Sequence, residues 1–379
     1  QLSIVSPDKK IKLPLTYNNR TFLSFNGEIY NYKFLKEKFK LSEKNFRYKT
    51  DTEVLYHILN LNKKDLSDLN GVWSFAYYDN EKHSLQLSRD VLGERNLYFY
   101  KNKNELIFCS EIRPIFLASN LNFKIDNEGL QDMWKFYACR DDKTILNACK
   151  KLKPGTTKIF SINKIKEINH SFIEVEKWLD YSKKNGEKQI REKFLEIFSQ
   201  ELDLRYPQKV KSYSLLSGGI DSSFQNLYLG NNHRLNTLYG ISSDFNSFKR
   251  SSISEIDLSK MVSTLIKSKH NFVDLRENIV KETLSLSKNS LECLDPAMLN
   301  YSQLSNFIKK KRSKVVIASD GPDELMCGYQ KDVNRFIEDK GNFLKTPYHK
   351  IINTKTFYKK IFKNIENKSK YFSSLDNRY

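Results

Sequence analysis

Ser217-Gly218-Gly219-Ile220-Asp221-Ser222-Ser223 is the stretch around which this chain is read. Residues 211–216 lead into it and end in two leucines, the pattern of a strand entering a core. Residues 224–229 follow as the first turns of a helix. Glycines between a strand and a helix let the backbone close on an anion, and the helix N-terminus offers unpaired N–H groups to it. Ser217, Ser222 and Ser223 add hydroxyl donors. Asp221 is the odd member, because a carboxylate repels phosphate unless a divalent cation lies between them. The plain alternative is a tight turn capped by Asp and Ser. The Gly-Lys-Ser/Thr of a Walker loop is absent from the heptad.

Strand and helix patterns alternate on both sides of it. A helix over 190–202 precedes the strand at 211–216. Then come a helix over 220–229, a strand at 236–241, and a helix over 255–268 with Leu258, Met261, Val262 and Leu265 on one face. A strand at 271–275, a helical region reaching Lys311 and a strand at 314–318 complete the pattern. Such alternation predicts a parallel sheet covered on both faces, with ligands beyond the carboxyl ends of its strands. Three strands end in polar loops: the heptad, Ser242-Ser243-Asp244, and Ser319-Asp320-Gly321-Pro322-Asp323-Glu324. The carboxylates of the last loop read as a solvated helix start or, beside a phosphate loop, as magnesium ligands.

The heptad resembles the pyrophosphate loop of ATP pyrophosphatases, which cleave ATP between its α and β phosphates. The 319–324 cluster, continued by Gly328-Tyr329, looks like the Ser-Gly-Asp/Glu-Gly-Ala/Ser-Asp-Glu signature of the asparagine synthetase family. That resemblance implies ATP contacts at Leu216, Ser217, Gly218, Gly219, Asp221, Ser222, Tyr239, Ala318 and Ser319. It implies Mg²⁺ held by Asp221 and Asp323, with Asp320 facing the acid to be activated. Ala318-Ser319 stands where the family has Ser-Gly, and Pro322 replaces a small residue, changes that would reshape the substrate pocket.

The first half is rich in short aromatic strand patterns at 20–25, 72–78, 84–88, 97–100 and 105–109. Helical spacing marks 32–39 and 52–61, so the expected class is α+β. Phe25-Asn26-Gly27-Glu28-Ile29-Tyr30-Asn31 carries an Asn-Gly pair, the strongest short hairpin signal, and a plain turn is one reading. The other is an oxyanion hole built from the Asn26 amide and the Gly27 N–H. Thr50-Asp51-Thr52-Glu53 precedes the second helix, where Asp51 or Thr52 reads as an N-cap. Gly71-Val72-Trp73-Ser74-Phe75-Ala76-Tyr77-Tyr78-Asp79, Ser88-Arg89-Asp90-Val91-Leu92-Gly93 and Cys109-Ser110-Glu111-Ile112 follow. In that order the set resembles the glutaminase domain of class II glutamine amidotransferases, in their asparagine synthetase branch.

The implied fold is an Ntn hydrolase-like α+β sandwich over 1–180, then an α/β ATP-pyrophosphatase (PP-loop) domain over 189–379. Lys153-Pro154-Gly155-Thr156 reads as the turn closing the first, and Tyr181 to Lys188 as a linker. The implied glutamine site takes Leu2, Ser3, Ile4 and Val5 as lining, Asn26, Gly27 and Glu28 around the amide, and Asp51 at the ammonium group. The family's nucleophile is an N-terminal cysteine, and Gln1 falls where the family has an arginine for the glutamine carboxylate. On this reading the chain lacks segments at both ends, and as given it does not hydrolyse glutamine.

Composition narrows the classes. The 379 residues carry a net charge of +19, but lysines are scattered among Asn, Ile, Phe and Tyr with no basic stripe. A nucleic-acid binder is disfavoured, and no apolar run reaches the ~20 residues of a membrane span. Cys109, Cys139, Cys149, Cys293 and Cys327 show no CxxC spacing, which fits reduced thiols in the cytoplasm. The expected activity is asparagine synthesis from aspartate, with ATP, Mg²⁺ and glutamine or ammonia, by a protein compatible with a homodimer. The alternatives are an amidotransferase acting on another acid and an inactive remnant.

Overall fold

The computed structural model describes residues 4–5, 11–61, 66–118, 124–162, 164–170, 175–241, 255–275, 285, 291, 297–326 and 328–329. Backbone contacts divide the chain into Gln1–Ala318 and Ser319–Tyr379.

The first unit opens on an antiparallel five-stranded sheet. Its strands are β1 (Thr21–Ile29), β2 (Gly71–Asp79), β3 (Ser84–Arg89), β7 (Thr156–Ser161) and β8 (Lys164–Asn169), in the order β1-β2-β3-β7-β8. A second antiparallel sheet joins β4 (Tyr98–Lys101), β5 (Leu106–Cys109) and β6 (Cys149–Lys151) in the order β5-β4-β6. Alternation along β1 sends Leu23 and Phe25 into a core with Val54, Leu55, Ile58 and Leu59 of helix α2 (Asp51–Asn60) and Leu35 of α1 (Tyr32–Lys38). Trp73 and Phe75 of β2, each 1% exposed, complete that core, and burying side chains of this size stabilises by about 1.5–3 kcal/mol each. On the opposite face Ala76, Leu87 and Phe160 pack with Leu97, Phe99 and Leu152, joining the two sheets. Tyr98 and Tyr100 turn outward from the second sheet to Ile112 and Ile115 of α3 (Ile112–Ala118). The layers are helix, sheet, sheet, helix, the sandwich expected of the first half. Helix α4 (Asn127–Phe136) lies between β5 and β6 in the chain.

Two local readings change. Asn26-Gly27 is no hairpin turn: β1 runs straight through it, with Asn26 opposite Ser74 and Gly27 opposite Trp73. The backbones approach so closely that a Cβ at Gly27 would lie 2.1 Å from the Val72 carbonyl oxygen, and one at Gly71 would lie 2.2 Å from that of Glu28. Tyr181 to Lys188 is mostly helical, divided between α5 (Val175–Lys184) and α6 (Glu187–Arg205), with only Asn185 and Gly186 between them. Its polarity is that of solvated helix faces.

The rest of the first unit is parallel. Strands β9 (Ser212–Leu215), β10 (Asn236–Ile241), β11 (Lys269–Asp274) and β12 (Val315–Ile317) form a sheet ordered β11-β10-β9-β12. Helices α7 (Ile220–Asn232), α8 (Glu255–Leu265) and α9 (Ala297–Lys310) intervene. The chain steps outward from β9 to β11 and then returns to the other side of β9. The order therefore reverses between β9 and β12, and crevices that hold ligands form at such switch points. Of the second unit, α10 (Pro322–Met326) and its immediate neighbours are described. Among the described residues no helix is long and apolar enough to cross a membrane.

Candidate functional site

Asn26 and Glu28 share one face of β1 by alternation, opposite the core face of Leu23 and Phe25. The exposed Asn26 amide donates from Nδ2 to Ser110 Oγ at 3.3 Å, just beyond β5. Helix α2 is capped by Thr50, neither by Asp51 nor by Thr52: the Thr50 hydroxyl accepts from the Glu53 N–H and the Glu53 carboxylate from the Thr50 N–H. This box is worth about 1 kcal/mol and leaves Asp51 available for other work. Asp51, 6% exposed, accepts from the Ile29 N–H at 3.0 Å and the Thr52 N–H at 2.8 Å.

The electrostatics of this corner are acidic. Burial pushes Asp51 up to about 6, against the backbone hydrogen bonds that favour its charge. Glu28 is pushed up to about 7, first by burial and then by the Asp51 charge, with Arg95 opposing. Arg95 is held in place by the Ser88–Gly93 motif. Asp90, 1% exposed, accepts from the N–H groups of Leu92, Glu94 and Arg95, while Arg89 donates to the carbonyl of Arg95 and the side chain of Asn96. The structure thus gathers Asn26, Gly27, Glu28 and Asp51. Ile4 and Val5 are half-buried, while Leu2, Ser3 and Gln1 lie outside the described residues.

The glycine loop follows β9 at the switch point. Leu216 is fully buried and its N–H bonds to the Leu238 carbonyl at 2.9 Å, extending the pairing of β9 with β10 by one residue. Gly218 adopts φ +88°, and a Cβ there would meet the Glu255 carbonyl oxygen at 2.7 Å and the Ser259 nitrogen at 2.9 Å. The loop is therefore seated on the first turn of α8. The Ser217 and Ser222 hydroxyls lie 2.9 Å apart, and Ser217 Oγ accepts from the Gly219 N–H at 3.2 Å. Helix α7 starts from Gly219 with no side-chain cap, and a helix N-terminus placed beside the Ser217 and Ser222 hydroxyls fits a pyrophosphate group. Asp221 lies in that first turn. Tyr239 is buried on β10, its hydroxyl pKa raised by burial and by Glu255. Ala318 follows β12, which pairs with β9. Ser319, Asp320 and Asp323 belong to the second unit, where Asp323 occupies the first turn of α10. Ser242-Ser243-Asp244, Cys293 and Cys327 lie outside the described residues.

Sequence reasoning gave no role to Ser110, Arg95 or the Thr50–Glu53 box. The box was visible as Thr-x-x-Glu ahead of an apolar run. The contacts of Ser110 and Arg95 join distant segments, and no local signal marks them. His270 was also passed over. It bonds Thr237 Oγ1 at 2.8 Å and Ser259 Oγ at 3.2 Å, and burial pushes it down to about 4. A neutral imidazole thus ties α8, the seat of Gly218, to the sheet.

An antiparallel sandwich followed by a parallel sheet with a glycine loop at its switch point defines a two-part enzyme scaffold. Residues 1–173 match the family model described as glutamine amidotransferase domain, and 193–368 match that described as asparagine synthase. The chain belongs to the asparagine synthetase family. It is 28% identical over 322 residues to a provisionally named glutamine-hydrolysing asparagine synthetase 2 of Methanocaldococcus jannaschii, covering 83% of this chain and 60% of that one. Against glutamine-hydrolysing asparagine synthetase 1 of Bacillus subtilis it is 28% identical over 326 residues, covering 83% and 49%. It is also 28% identical over 201 residues to amidase chry2 of Gibberella zeae, covering 52% and 29%. The chain spans about half the length of the curated asparagine synthetases it matches.

Proposed function

We propose that the chain is part of an ATP-dependent amide-forming ligase that makes asparagine from aspartate with nitrogen from glutamine or ammonia. The observation that carries this reading is the Ser217–Ser223 loop, at the switch point of a parallel sheet and opening an uncapped helix.

A carboxylate oxygen of the acid attacks the α-phosphorus of MgATP. The bond from that phosphorus to the bridging oxygen breaks, and pyrophosphate leaves with the electron pair. Negative charge accumulates on the leaving group, where the α7 N-terminus and the Ser217 and Ser222 hydroxyls offset it. Asp221 and Asp323 are the proposed ligands of the magnesium that travels with ATP, which neutralises phosphate charge. Leu216, Tyr239, Ala318 and Ser319 are assigned to adenosine through main-chain groups, and Asp320 to the acid. Ammonia then attacks the acyl carbon, loses a proton and displaces AMP. In the glutamine domain, Asn26 Nδ2 and the Gly27 N–H are suited to an oxyanion, while Asp51 and Glu28 suit an ammonium group. The proposed domain limits are 1–180 and 189–379.

A second reading, amidation of a different acid, is favoured by Ala318-Ser319 and Pro322 in place of the family residues and by the likeness to amidase chry2. Pyrophosphate release with MgATP and ammonium, screened over amino acids and sugar acids, separates the two. Aspartate should give the highest rate, and preference for a non-amino acid selects the second reading. No acid-dependent release from any substrate contradicts both.

A further inference from the structure

The last turn of α6 is gripped from two sides. Asn70, just before β2, donates from Nδ2 to both carboxylate oxygens of Glu201 at 3.0 and 3.1 Å. The same side chain accepts from Arg205 Nη2 at 3.2 Å. Glu201 and Arg205 are ion-paired one turn apart, and the Arg205 guanidinium lies 4.9 Å from the centre of the Tyr30 ring. Tyr30 and Asn70 are fixed to each other, because the Tyr30 N–H donates to the Asn70 carbonyl at 2.8 Å. Tyr30 is the residue after β1, the strand that carries Asn26 and Glu28.

On its other side the turn holds α7. Asp203 accepts from the Tyr228 hydroxyl at 2.8 Å. The Tyr206 and His233 rings lie nearly parallel, with centroids 3.8 Å apart, and Phe198 packs on Phe224 at 4.9 Å. Helix α7 begins in the glycine loop. The C-terminal end of α6 thus touches both the residue that follows the strand of the glutamine corner and the helix of the ATP loop.

We propose that the α6 turn is a strut coupling the two sites, with Asn70 and Arg205 as its positioning residues. The inference rests on the functional reading above. The planar fork of Arg205 fixes direction as well as distance, since it serves Glu201, Asn70 and the Tyr30 face together. A shift of the loop after β1, to which Asn70 is bonded, acts on the Tyr30 and Asn70 contacts of Arg205 and so on the turn that α7 packs on. Coupling of this kind is reciprocal: whatever factor one ligand adds to the affinity of the second, the second adds to the first.

The test is calorimetric titration of the chain with L-glutamate, with and without saturating magnesium α,β-methylene-ATP, and the converse titration. The unaltered chain should show the same coupling factor in both directions, at least about 5-fold. Arg205→Ala and Asn70→Ala should each bring the factor close to one while leaving each single-ligand affinity within about 3-fold of the unaltered chain, a separation that a merely structural role would not give. Arg205→Lys, which keeps the charge without the fork, should restore only part of the factor. Full coupling in both alanine variants, or none in the unaltered chain, overturns the strut. Failure of the unaltered chain to bind the nucleotide overturns the functional reading and the strut with it.

Discussion

Asp51 Oδ2 accepts a hydrogen bond from the Ile29 N–H at 3.0 Å, which ties the first residue of α2 to the end of β1. Oδ1 is engaged by Thr52, so the carboxylate is fixed as well as buried, beside Glu28. Burial raises both acids, Asp51 to about 6 and Glu28 to about 7. An added positive charge at this corner would stabilise both.

The pH dependence of stability follows from the sign of the Glu28 shift. Its folded-state value of about 7 lies above the ordinary 4.5, so folding favours the protonated form. That contribution is complete below about 4.5 and is lost as pH rises to about 7. Glu28→Gln mimics the protonated acid. Its thermal midpoint should match the unaltered chain near pH 4 and exceed it at pH 8, by the equivalent of about 1–2 kcal/mol once solvent screening is allowed for. Circular dichroism melts at the two pH values check this, and equal midpoints at pH 8 contradict it.

Ligand binding should show the opposite preference. An α-ammonium group needs Asp51 and Glu28 ionised, so affinity for L-glutamate should fall as pH drops through about 7 and about 6. Once both acids are protonated the loss should reach roughly tenfold or more per pH unit. Calorimetry between pH 8 and pH 5.5 measures it. A flat profile would place the ammonium elsewhere.

Gly218→Ala tests the seat of the loop. The added methyl meets backbone atoms of Glu255 and Ser259, which cannot rotate away, at a φ that L-residues rarely adopt. Overpacking of this kind costs typically 1–3 kcal/mol and displaces the loop or α8. Nucleotide affinity should fall at least about 10-fold while L-glutamate binding persists. Unchanged nucleotide affinity would show that the seat is not needed.

The parallel half was legible because its strands are short and alternate with helical repeats, so position in the chain nearly determines position in the sheet. The Ser217 loop was legible because Gly218 needs both positive φ and close backbone approach, which leave a mark in the sequence. Asn26-Gly27 misled as a turn signal because its glycine serves strand approach against Val72 and Trp73, a long-range cause that no local pattern shows. Strands β7 and β8 went unread for a related reason. β8 is an edge strand whose lysines and glutamate face solvent, so the alternation that marks a half-buried strand is missing. The acidic corner was half legible: Asp51 came from the family resemblance, whereas the approach of Arg95 depends on the loop that Asp90 holds.

On the proposed function, the loop after β9 holds the pyrophosphate of ATP while an acid is activated. The most direct measurement is aspartate-dependent incorporation of labelled pyrophosphate into ATP, comparing the unaltered chain with Asp221→Asn. Exchange that requires aspartate and magnesium, and that falls roughly 10²–10³-fold in the folded variant, is the predicted result. Exchange at an undiminished rate in Asp221→Asn, or no exchange with aspartate or any other acid, would contradict it.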